Sequence, residues 1–346
     1  MSSSANGSFM STRGASAGAP ALEIALVNNM PDAAFAETER QFVALLGQAA
    51  GALSVRLSLY SLPGLRRSED TARYIAARYA TLQTLFAHGA DAAIITGTEP
   101  IAAHLAEEPY WGALASLIGW AEESTTSTVL SCLAAHAAVL LFDGAERRPL
   151  EAKCSGVFAH DVIADHALVA GMAGPIFVPH SRLNEVPDEA LPDSYVSLLG
   201  SSELSWTVLA RERGGCLFVF VQGHPEYSTS SLLREYKRDL QRYLRGERAT
   251  QPPIPLHYLD EGSERLLDEF AAAASRRPAA EDVMAGFPFD EVRQRVVNTW
   301  RPQGERLYAN WISEILRRKH FVRNGQENAA PLSPARDERG TRVVGA

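Results

Sequence analysis

Cysteine is scarce in this chain, with three among 346 residues, at positions 132, 154 and 216. So few and so scattered thiols exclude a disulfide framework and favour a reducing compartment, and we expect a cytoplasmic protein. Long apolar runs are missing as well. No stretch approaches the roughly 18 consecutive apolar residues of a membrane span, and the Ser-, Gly- and Ala-rich start has no apolar core of signal-peptide length. We therefore expect neither a membrane partner nor an export signal.

A basic excess is also missing, because 33 Lys and Arg residues face 41 Asp and Glu residues and give a net charge of -8. The two signs are interspersed rather than gathered in blocks. This composition argues against a nucleic-acid surface and favours small-molecule substrates. A homodimer is left open.

Apolar segments of strand length alternate with helical patterns in the first half of the chain, which is typical of a parallel sheet covered on both faces by helices. We predict strands at residues 22–28, 53–61, 91–96 and 126–132, and a single long helix at 69–88. After residue 132 the alternation is less regular, and 153–158 and 176–182 are predicted as antiparallel strands. The predicted fold class is α/β.

Composition divides the chain into five predicted parts. They are a disordered extension at residues 1–20, a catalytic α/β domain at 21–250, a helical insertion or cap at 251–298, a C-terminal helix at 299–319 and a disordered tail at 320–346. Leu307, Trp311 and Ile312 recur at helical spacing in the last helix. This stripe predicts that the helix packs on the catalytic domain.

Cys132 ends a predicted buried strand and stands directly before the small, helix-favouring residues 133–138. A strand-to-helix turn exposes a side chain at the carboxyl edge of a sheet, where the amides that open the helix favour a thiolate. A cysteine in an apolar setting is more often a small core residue. Its place at the turn makes Cys132 our candidate nucleophile, and the backbone amides of Thr98 and Leu133 are candidates for an oxyanion hole.

A second apolar strand, at residues 216–221, leads into Gly223-His224-Pro225-Glu226-Tyr227. His224 then lies just past the end of a strand in the same sheet, and Glu226 can turn back to orient its ring. Either residue alone is more often a loop histidine or a solvated carboxylate. Together with Cys132 they predict a nucleophile, a base and an orienting carboxylate for acyl transfer or amide hydrolysis.

Several segments, in order from about residue 22 to about residue 318, resemble the homoserine O-acyltransferase family of methionine biosynthesis. They are Asn29-Met30-Pro31, Ile94-Ile95-Thr96-Gly97, Tyr110-Trp111, Thr126-Ser127-Thr128, Lys153 with Ser155-Gly156-Val157-Phe158 and His160, Pro179-His180-Ser181-Arg182, Gly223 to Tyr227, and Trp300-Arg301 with Asn310-Trp311. That family has the class I glutamine amidotransferase-like fold. The resemblance implies a flavodoxin-like parallel sheet with flanking helices and a helical insertion.

The resemblance also implies a double displacement. Cys132 would take the acyl group from acyl-CoA as a thioester, His224 would act as the general base, and Glu226 would orient His224. Acyl-CoA is then a co-substrate and homoserine the acceptor. No bound cofactor and no metal are implied.

The family's substrate-binding positions correspond to Lys153, Ser181 and Arg238, and a cation suits a substrate carboxylate. The family's acyl-sorting position corresponds to Ile101; a glutamate there accompanies acetyl transfer, and a glycine accompanies succinyl transfer. Because Ile101 has no charge to repel a succinyl carboxylate, we expect succinyl rather than acetyl as the acyl group. Acetyl transfer, and serine as the acceptor, stay open as alternatives.

Two residues depart from the family's pattern, since Leu133 and His136 stand where the family commonly has Trp and Gln. For His136, one helical turn from Cys132, we favour a neutral packing or hydrogen-bonding role over a Cys-His metal pair. The rival enzyme is a class I glutamine amidotransferase-like amidase, which usually carries glycines flanking its nucleophile. A non-catalytic sensor of the same fold is the other alternative, and we would expect such a sensor to have lost part of the triad.

Overall fold

A mixed sheet forms the centre of the molecule in the computed structural model, which describes residues 10–11, 22–276 and 283–327. Within these ranges the sheet has ten strands, in the order β1-β3-β2-β4-β5-β10-β9-β8-β6-β7. The strands are β1 (Met10–Ser11), β2 (Leu22–Val27), β3 (Val55–Tyr60), β4 (Ala92–Ile95), β5 (Ser127–Ser131), β6 (Arg148–Val162), β7 (Ile176–Glu185), β8 (Val196–Gly200), β9 (Val208–Arg213) and β10 (Cys216–Val221).

Helices flank this sheet on both faces. They are α1 (Asp32–Ala49), α2 (Glu69–Arg78), α3 (Leu82–His88), α4 (Trp111–Ser124), α5 (Leu133–Asp143), α6 (Ser231–Leu244), α7 (Glu261–Ala274), α8 (Phe289–Arg295) and α9 (Arg301–Glu327).

The strands β3, β2, β4, β5 and β10 are neighbours and run parallel. Every residue of β4, β5 and β10 is buried, because α1 and α9 pack on one face and α3, α4 and α5 on the other. Strands buried on both faces have near-continuous apolar sequences rather than alternating ones, as the Val- and Phe-rich β10 illustrates. The predicted α/β fold with a parallel sheet is confirmed.

The other half of the sheet is antiparallel, with β9, β8, β6 and β7 following β10. The antiparallel pairing predicted for residues 153–158 and 176–182 is confirmed, since Cys154 lies opposite Arg182 and Phe158 opposite Val178. This half brings the ends of β6 and β7 back toward the edge at which the parallel strands finish.

The single helix predicted at residues 69–88 is wrong, because the structure has two helices there, α2 and α3. Between them Tyr79 is extended, with φ -104° and ψ 140°. The Ala80 amide donates to the Leu59 carbonyl at 2.9 Å, and the Thr81 side chain accepts from the Thr84 amide to cap α3. A buried anchor explains the break, since the Tyr79 hydroxyl lies 2.9 Å from Glu39 Oε2 in the core.

The segment predicted as a helical insertion or cap is helical at α7 and α8, while its residues 277–282 lie outside the described part of the chain. These helices pack with α6 and Trp300 in an apolar cluster of their own. The segment is joined to β6 by two backbone hydrogen bonds of 2.9 Å, from Val157 to the Leu256 carbonyl and from Leu256 to the Ser155 carbonyl. A Cβ on Gly156 would clash with the Leu256 carbonyl, so glycine permits this close approach.

The last helix is longer than predicted, because α9 continues to Glu327. Leu307, Trp311 and Ile312 are buried as expected, and Trp311 Nε1 donates to Ser127 Oγ at 2.8 Å. The rest of the predicted tail, residues 328–346, lies outside the described residues, as does the predicted extension at 1–20 apart from β1. Of the helices described, none is both long and apolar enough to cross a bilayer.

Candidate active site

Cys132 occupies the turn between β5 and α5. Its backbone has φ 53° and ψ -113°, a conformation that costs a non-glycine residue on the order of 1–3 kcal/mol and is found mainly at functional sites. The turn is held in place because the Cys132 amide donates to the Val221 carbonyl at 2.7 Å. The thiol therefore stands at the carboxyl edge of the sheet, as predicted from the sequence.

The strand β10 delivers His224 and Glu226 to the same edge. Ser131 and Val221 lie opposite each other in the parallel pair β5 and β10, so the segments that follow these strands start side by side. The His224 amide donates to the Pro179 carbonyl at 2.7 Å, which ties this segment to β7. His224 and Glu226 are both buried, and His224 Nδ1 lies 2.8 Å from Glu226 Oε1.

The charge state of His224 depends on its neighbours. Burial lowers the pKa of His224, but the Glu226 carboxylate and a hydrogen bond with Cys132 outweigh it and hold the pKa well above its usual range. Since Nδ1 faces Glu226, Nε2 is the ring nitrogen that is available to the thiol. This nitrogen is therefore placed to accept the proton of the thiol.

The predicted oxyanion hole lies where the loop after β4 meets the start of α5. Thr98 and Leu133 both line the cleft beside Cys132. Leu133 is the first residue of α5, so its amide has no acceptor within the helix. A Cβ built on Gly97 would stand 2.8 Å from Leu133 Cβ and 2.9 Å from Leu133 N. Glycine at 97 therefore lets the loop come close to the turn.

The cleft around Cys132 encloses about 230 Å³. The predicted substrate-binding residues Lys153, Ser181 and Arg238 all line it, although they come from β6, β7 and α6. Arg238 lies on α6, which follows the His224 segment in the chain. The fold thus brings the three predicted substrate-binding residues and the triad together.

Two acids of α6, Glu235 and Asp239, hold this group of side chains together. Lys153 Nζ donates to Glu235 at 3.2 Å and to Asp239 at 2.8 Å, and Ser181 donates to Glu235. Arg238 donates to Asp239 Oδ1 through Nε at 3.1 Å and Nη2 at 3.0 Å. We call these five residues the α6 charge cluster.

The carboxyls of the cluster are ionised. Burial raises the pKa of Glu235, but Lys153 and the hydrogen bonds from Ser181 and Tyr227 overcome it and leave that pKa lowered. The pKa of Asp239 is lowered in the same way, mainly by Lys153 against burial. Glu235 and Asp239 are therefore anions in a cluster that also contains the cations Lys153 and Arg238.

Tyr227 connects the cluster to His224. Its ring stacks on His224 with centroids 4.3 Å apart, and its hydroxyl donates to Glu235 Oε1 at 2.6 Å. Burial beside Glu235 raises the pKa of Tyr227 well above its usual range, so this hydroxyl keeps its proton.

Ile101 is not brought to the cleft. Its side chain is 63% exposed, and its amide donates to Glu108 Oε1 at 2.7 Å. The neighbouring Glu99 and Pro100 line the cleft instead. Glu108 also accepts from the Ala102 amide at 2.8 Å, so one carboxylate oxygen holds this part of the loop, and Ile101 lies outside the cleft lining.

His136 is buried in the wall of the cleft, with Nε2 at 3.1 Å from Gln222 Oε1. Burial lowers the pKa of His136 to about 4, so the ring is neutral near pH 7. The hydrogen-bonding role that we favoured from the sequence agrees with this contact. Over the described ranges, no group of three or more His, Cys, Asp and Glu residues is arranged to hold a metal ion.

Comparisons with known proteins identify the family. A model of the homoserine O-succinyltransferase family matches residues 3–321. The chain belongs to this family. A homoserine O-succinyltransferase of Rhodopseudomonas palustris is 45% identical over 303 residues, which cover 87% of this chain and 90% of that protein. A homoserine O-succinyltransferase of Methylorubrum extorquens is 42% identical over 297 residues, 85% of this chain and 87% of that protein.

Among solved structures, a glutamine amidotransferase from Methylobacillus flagellatus shares 14% identity, with a TM-score of 0.47 over 85% of this chain and 94% of that one. The resemblance to homoserine O-acyltransferases inferred from the sequence motifs is confirmed by the family match and by the curated relatives.

The structure also shows that this member of the homoserine O-succinyltransferase family has cleft residues that the sequence motifs did not indicate. They include Glu235, Asp239 and Arg147. The sequence holds a signal for Glu235 and Asp239, because they are four residues apart and therefore lie on the same face of a helix as each other. Arg238 lies between them in the chain. No comparable pattern surrounds Arg147.

Proposed function

We propose that this protein transfers a succinyl group from succinyl-CoA to the hydroxyl of homoserine, a step of methionine biosynthesis. The observation that carries the proposal is the strained turn at Cys132 beside the buried pair of His224 and Glu226. Membership of the homoserine O-succinyltransferase family supports the identity of donor and acceptor.

In the first half-reaction, His224 takes the thiol proton and the Cys132 thiolate attacks the thioester carbonyl of succinyl-CoA. The amides of Leu133 and Thr98 stabilise the negative charge on the carbonyl oxygen. CoA then leaves as a thiolate and takes the proton from the His224 imidazolium. The succinyl group stays on Cys132 as a thioester. One thioester replaces another, so the step needs no external energy.

In the second half-reaction, the hydroxyl of homoserine attacks the carbonyl of the succinyl group on Cys132. Neutral His224 accepts the hydroxyl proton as the new C–O bond forms. The Cys132 thiolate then leaves and again faces the His224 imidazolium. Glu226 stabilises this imidazolium and keeps Nε2 directed at the reacting atoms in both half-reactions.

The α6 charge cluster supports homoserine as the acceptor. We propose that Arg238 and Lys153 hold the substrate carboxylate, and that Glu235 accepts a hydrogen bond from the substrate ammonium. Within the cluster, Lys153 and Arg238 pair with Glu235 and Asp239, and Arg248 also pairs with Asp239. A zwitterion offers one charge of each sign, so it can exchange with these pairs without leaving a buried charge uncompensated.

The nucleophile of this mechanism is a free thiol, which supports our expectation of a cytoplasmic enzyme. Acyl-CoA is then a co-substrate, and the proposed reaction uses no bound cofactor. Both substrates are small molecules.

The test is a transferase assay on the purified full chain with homoserine and either succinyl-CoA or acetyl-CoA, followed by the release of the CoA thiol. We expect faster release with succinyl-CoA, dependence on homoserine, and loss of release in Cys132→Ala but not in Cys154→Ala. Ammonia release from glutamine in the same preparation, without transfer to homoserine, would instead favour the amidase.

A further inference from the structure

The wall of the cleft contains six Lys and Arg side chains, and five of them have acidic partners. Glu235 and Asp239 pair with Lys153, Arg238 and Arg248, while Arg182 pairs with Glu185 and Arg242 with Glu99. The sixth, Arg147, lines the same cleft. Over the part of the chain that the structure describes, its guanidinium makes no hydrogen bond and no ion pair.

Arg147 lies on the segment that leaves the C-terminal end of α5, the helix that begins next to Cys132. The groups that act on it most strongly through charge include Tyr110, Glu108 and Cys132, and none of them belongs to the α6 charge cluster. The charges that act most strongly on Arg238 are Asp239, Glu235 and Glu99. Arg147 and the α6 charge cluster therefore have different charged neighbours within one cleft.

The surroundings of Arg147 contain unused polar atoms. The Tyr110 hydroxyl and Glu108 Oε2 are buried and have no hydrogen-bond partner among the described residues. The other carboxylate oxygen of Glu108, Oε1, accepts hydrogen bonds from the amides of Ile101 and Ala102. A half-buried guanidinium has lost part of its hydration, and its planar fork matches a carboxylate with two parallel hydrogen bonds.

We propose that Arg147 binds the terminal carboxylate of the succinyl group, both in succinyl-CoA and in the thioester on Cys132. This inference rests on the succinyl transfer proposed above and adds the residue that recognises the acyl group. It assigns to Arg147 the choice between succinyl and acetyl donors that the sequence attributed to Ile101. The donor is then selected by attraction rather than by repulsion. The carboxylate of a succinyl group forms an ion pair with the Arg147 guanidinium, whereas an acetyl group has no charge to pair with it.

A CoA phosphate is the other anion that an arginine in this cleft could meet. The two are separated by measuring binding of succinyl-CoA, acetyl-CoA and free CoA by calorimetry to Cys132→Ala protein, in which no thioester can form. We expect Arg147→Gln to weaken succinyl-CoA binding by about 10- to 100-fold, the usual size of a lost hydrogen-bonded charge pair. Binding of acetyl-CoA and of free CoA should change less than about twofold, because neither carries the carboxylate.

Two further variants sharpen the test. Arg147→Lys keeps the charge but not the fork, and should retain part of the preference for succinyl-CoA. Arg148→Gln removes the next arginine, which pairs on the surface with Glu185 and Glu189, and should leave all three affinities unchanged. Unchanged CoA binding also reports that the Arg147 variants are folded.

An equal loss of all three ligands in Arg147→Gln would overturn the proposal in favour of a phosphate contact. No loss of any ligand would overturn it as well. Because binding is measured without turnover, a chain that prefers succinyl-CoA through Arg147 yet transfers nothing to homoserine would contradict the proposed function and leave the carboxylate contact intact.

Discussion

His224 Nδ1 lies 2.8 Å from Glu226 Oε1, and both side chains are almost completely buried. Glu226 Oε2 is buried too, and it has no hydrogen-bond partner in the ranges that the structure describes. Among the described residues, the Glu226 carboxylate therefore makes its hydrogen bond to the His224 imidazole. In this environment the pKa of His224, which burial alone would lower, is held well above its usual range by Glu226 and Cys132.

Replacing Glu226 by Gln should shift the pH dependence of turnover. The substitution removes the charge that holds the pKa of His224 up, so the pKa should fall and neutral His224 should persist to lower pH. We expect the acidic limb of the kcat profile, at saturating succinyl-CoA and homoserine, to move to lower pH. The maximal rate should decrease by about 10²- to 10⁴-fold, because the ring loses its orienting partner.

A suitable control for that profile is Glu314→Gln, which removes a buried carboxylate on α9 that pairs with Arg317 and Arg318 instead of a histidine. Its acidic limb should coincide with that of the unmodified protein. An acidic limb that stays in place in Glu226→Gln, or moves to higher pH, would argue against Glu226 as the group that sets the pKa of His224.

Gly97→Ala should damage the proposed oxyanion hole. The new methyl group would stand 2.8 Å from Leu133 Cβ and 2.9 Å from Leu133 N, so the loop has to move away from the turn. Loss of one oxyanion-hole donor typically costs about 10²- to 10³-fold in kcat. In Gly119→Ala, on α4, the added methyl meets nothing within 4 Å, and kcat should be unchanged. Equal kcat values for the two variants would show that the Gly97 loop does not contribute to catalysis.

The extent to which the site could be predicted from sequence differs between its parts. The meeting of Cys132, His224 and Glu226 at one edge could be predicted because they follow apolar strands, and parallel strands end at one edge of a sheet. The resemblance to the family places Ile101 at the acyl-sorting position, but the path of the loop depends on Glu108, which accepts from the Ile101 and Ala102 amides. A contact of this kind has no sequence signature, so the position of Ile101 outside the cleft lining could not be predicted.

The same limit applies to the fold. Strand positions could be predicted because burial on both faces demands continuous apolar runs. The break at Tyr79 could not, since the segment from 69 to 88 has helical spacing throughout and the break depends on a hydrogen bond to Glu39 from another helix. The role that we propose for Arg147 likewise could not be predicted, since it rests on the lack of an acidic partner among the residues that the structure describes.

Glu235→Gln should separate the two half-reactions. The substitution leaves the Cys132 turn intact but removes the anion that holds Lys153 and Ser181, and that we propose to bind the substrate ammonium. Thioester formation from succinyl-CoA alone should stay within about threefold of the unmodified rate, while kcat/KM for homoserine falls by about 10-fold or more. Rapid-mixing measurements of acyl transfer to the protein, beside steady-state kinetics, distinguish the two effects. A matching loss in thioester formation would place Glu235 in the acyl site instead.

His136→Gln should make the protein less sensitive to acid. Burial lowers the pKa of folded His136 to about 4 from 6.5. Between these values the unfolded chain binds a proton that the folded chain does not, so the free energy of unfolding decreases as pH falls through this window. Glutamine can keep the hydrogen bond to Gln222 without titrating. Relative to its own value at pH 7, the variant should lose up to about 3 kcal/mol less at pH 4 than the unmodified protein.

Chemical denaturation at pH 7 and pH 4 measures this difference. His160 and His180 are also buried with lowered pKa values, so some acid sensitivity should persist in the variant. An identical loss of stability in the two proteins would show that His136 does not stay neutral in the folded state.

The most direct test of the account is the identity of the acylated residue. The protein is incubated with succinyl-CoA in the absence of homoserine, quenched in acid, and analysed by intact mass and peptide sequencing. The account predicts one added succinyl group, on Cys132, which disappears when homoserine is added and never forms in Cys132→Ala. A succinyl group on Cys154 or Cys216, or full turnover by Cys132→Ala, would contradict it.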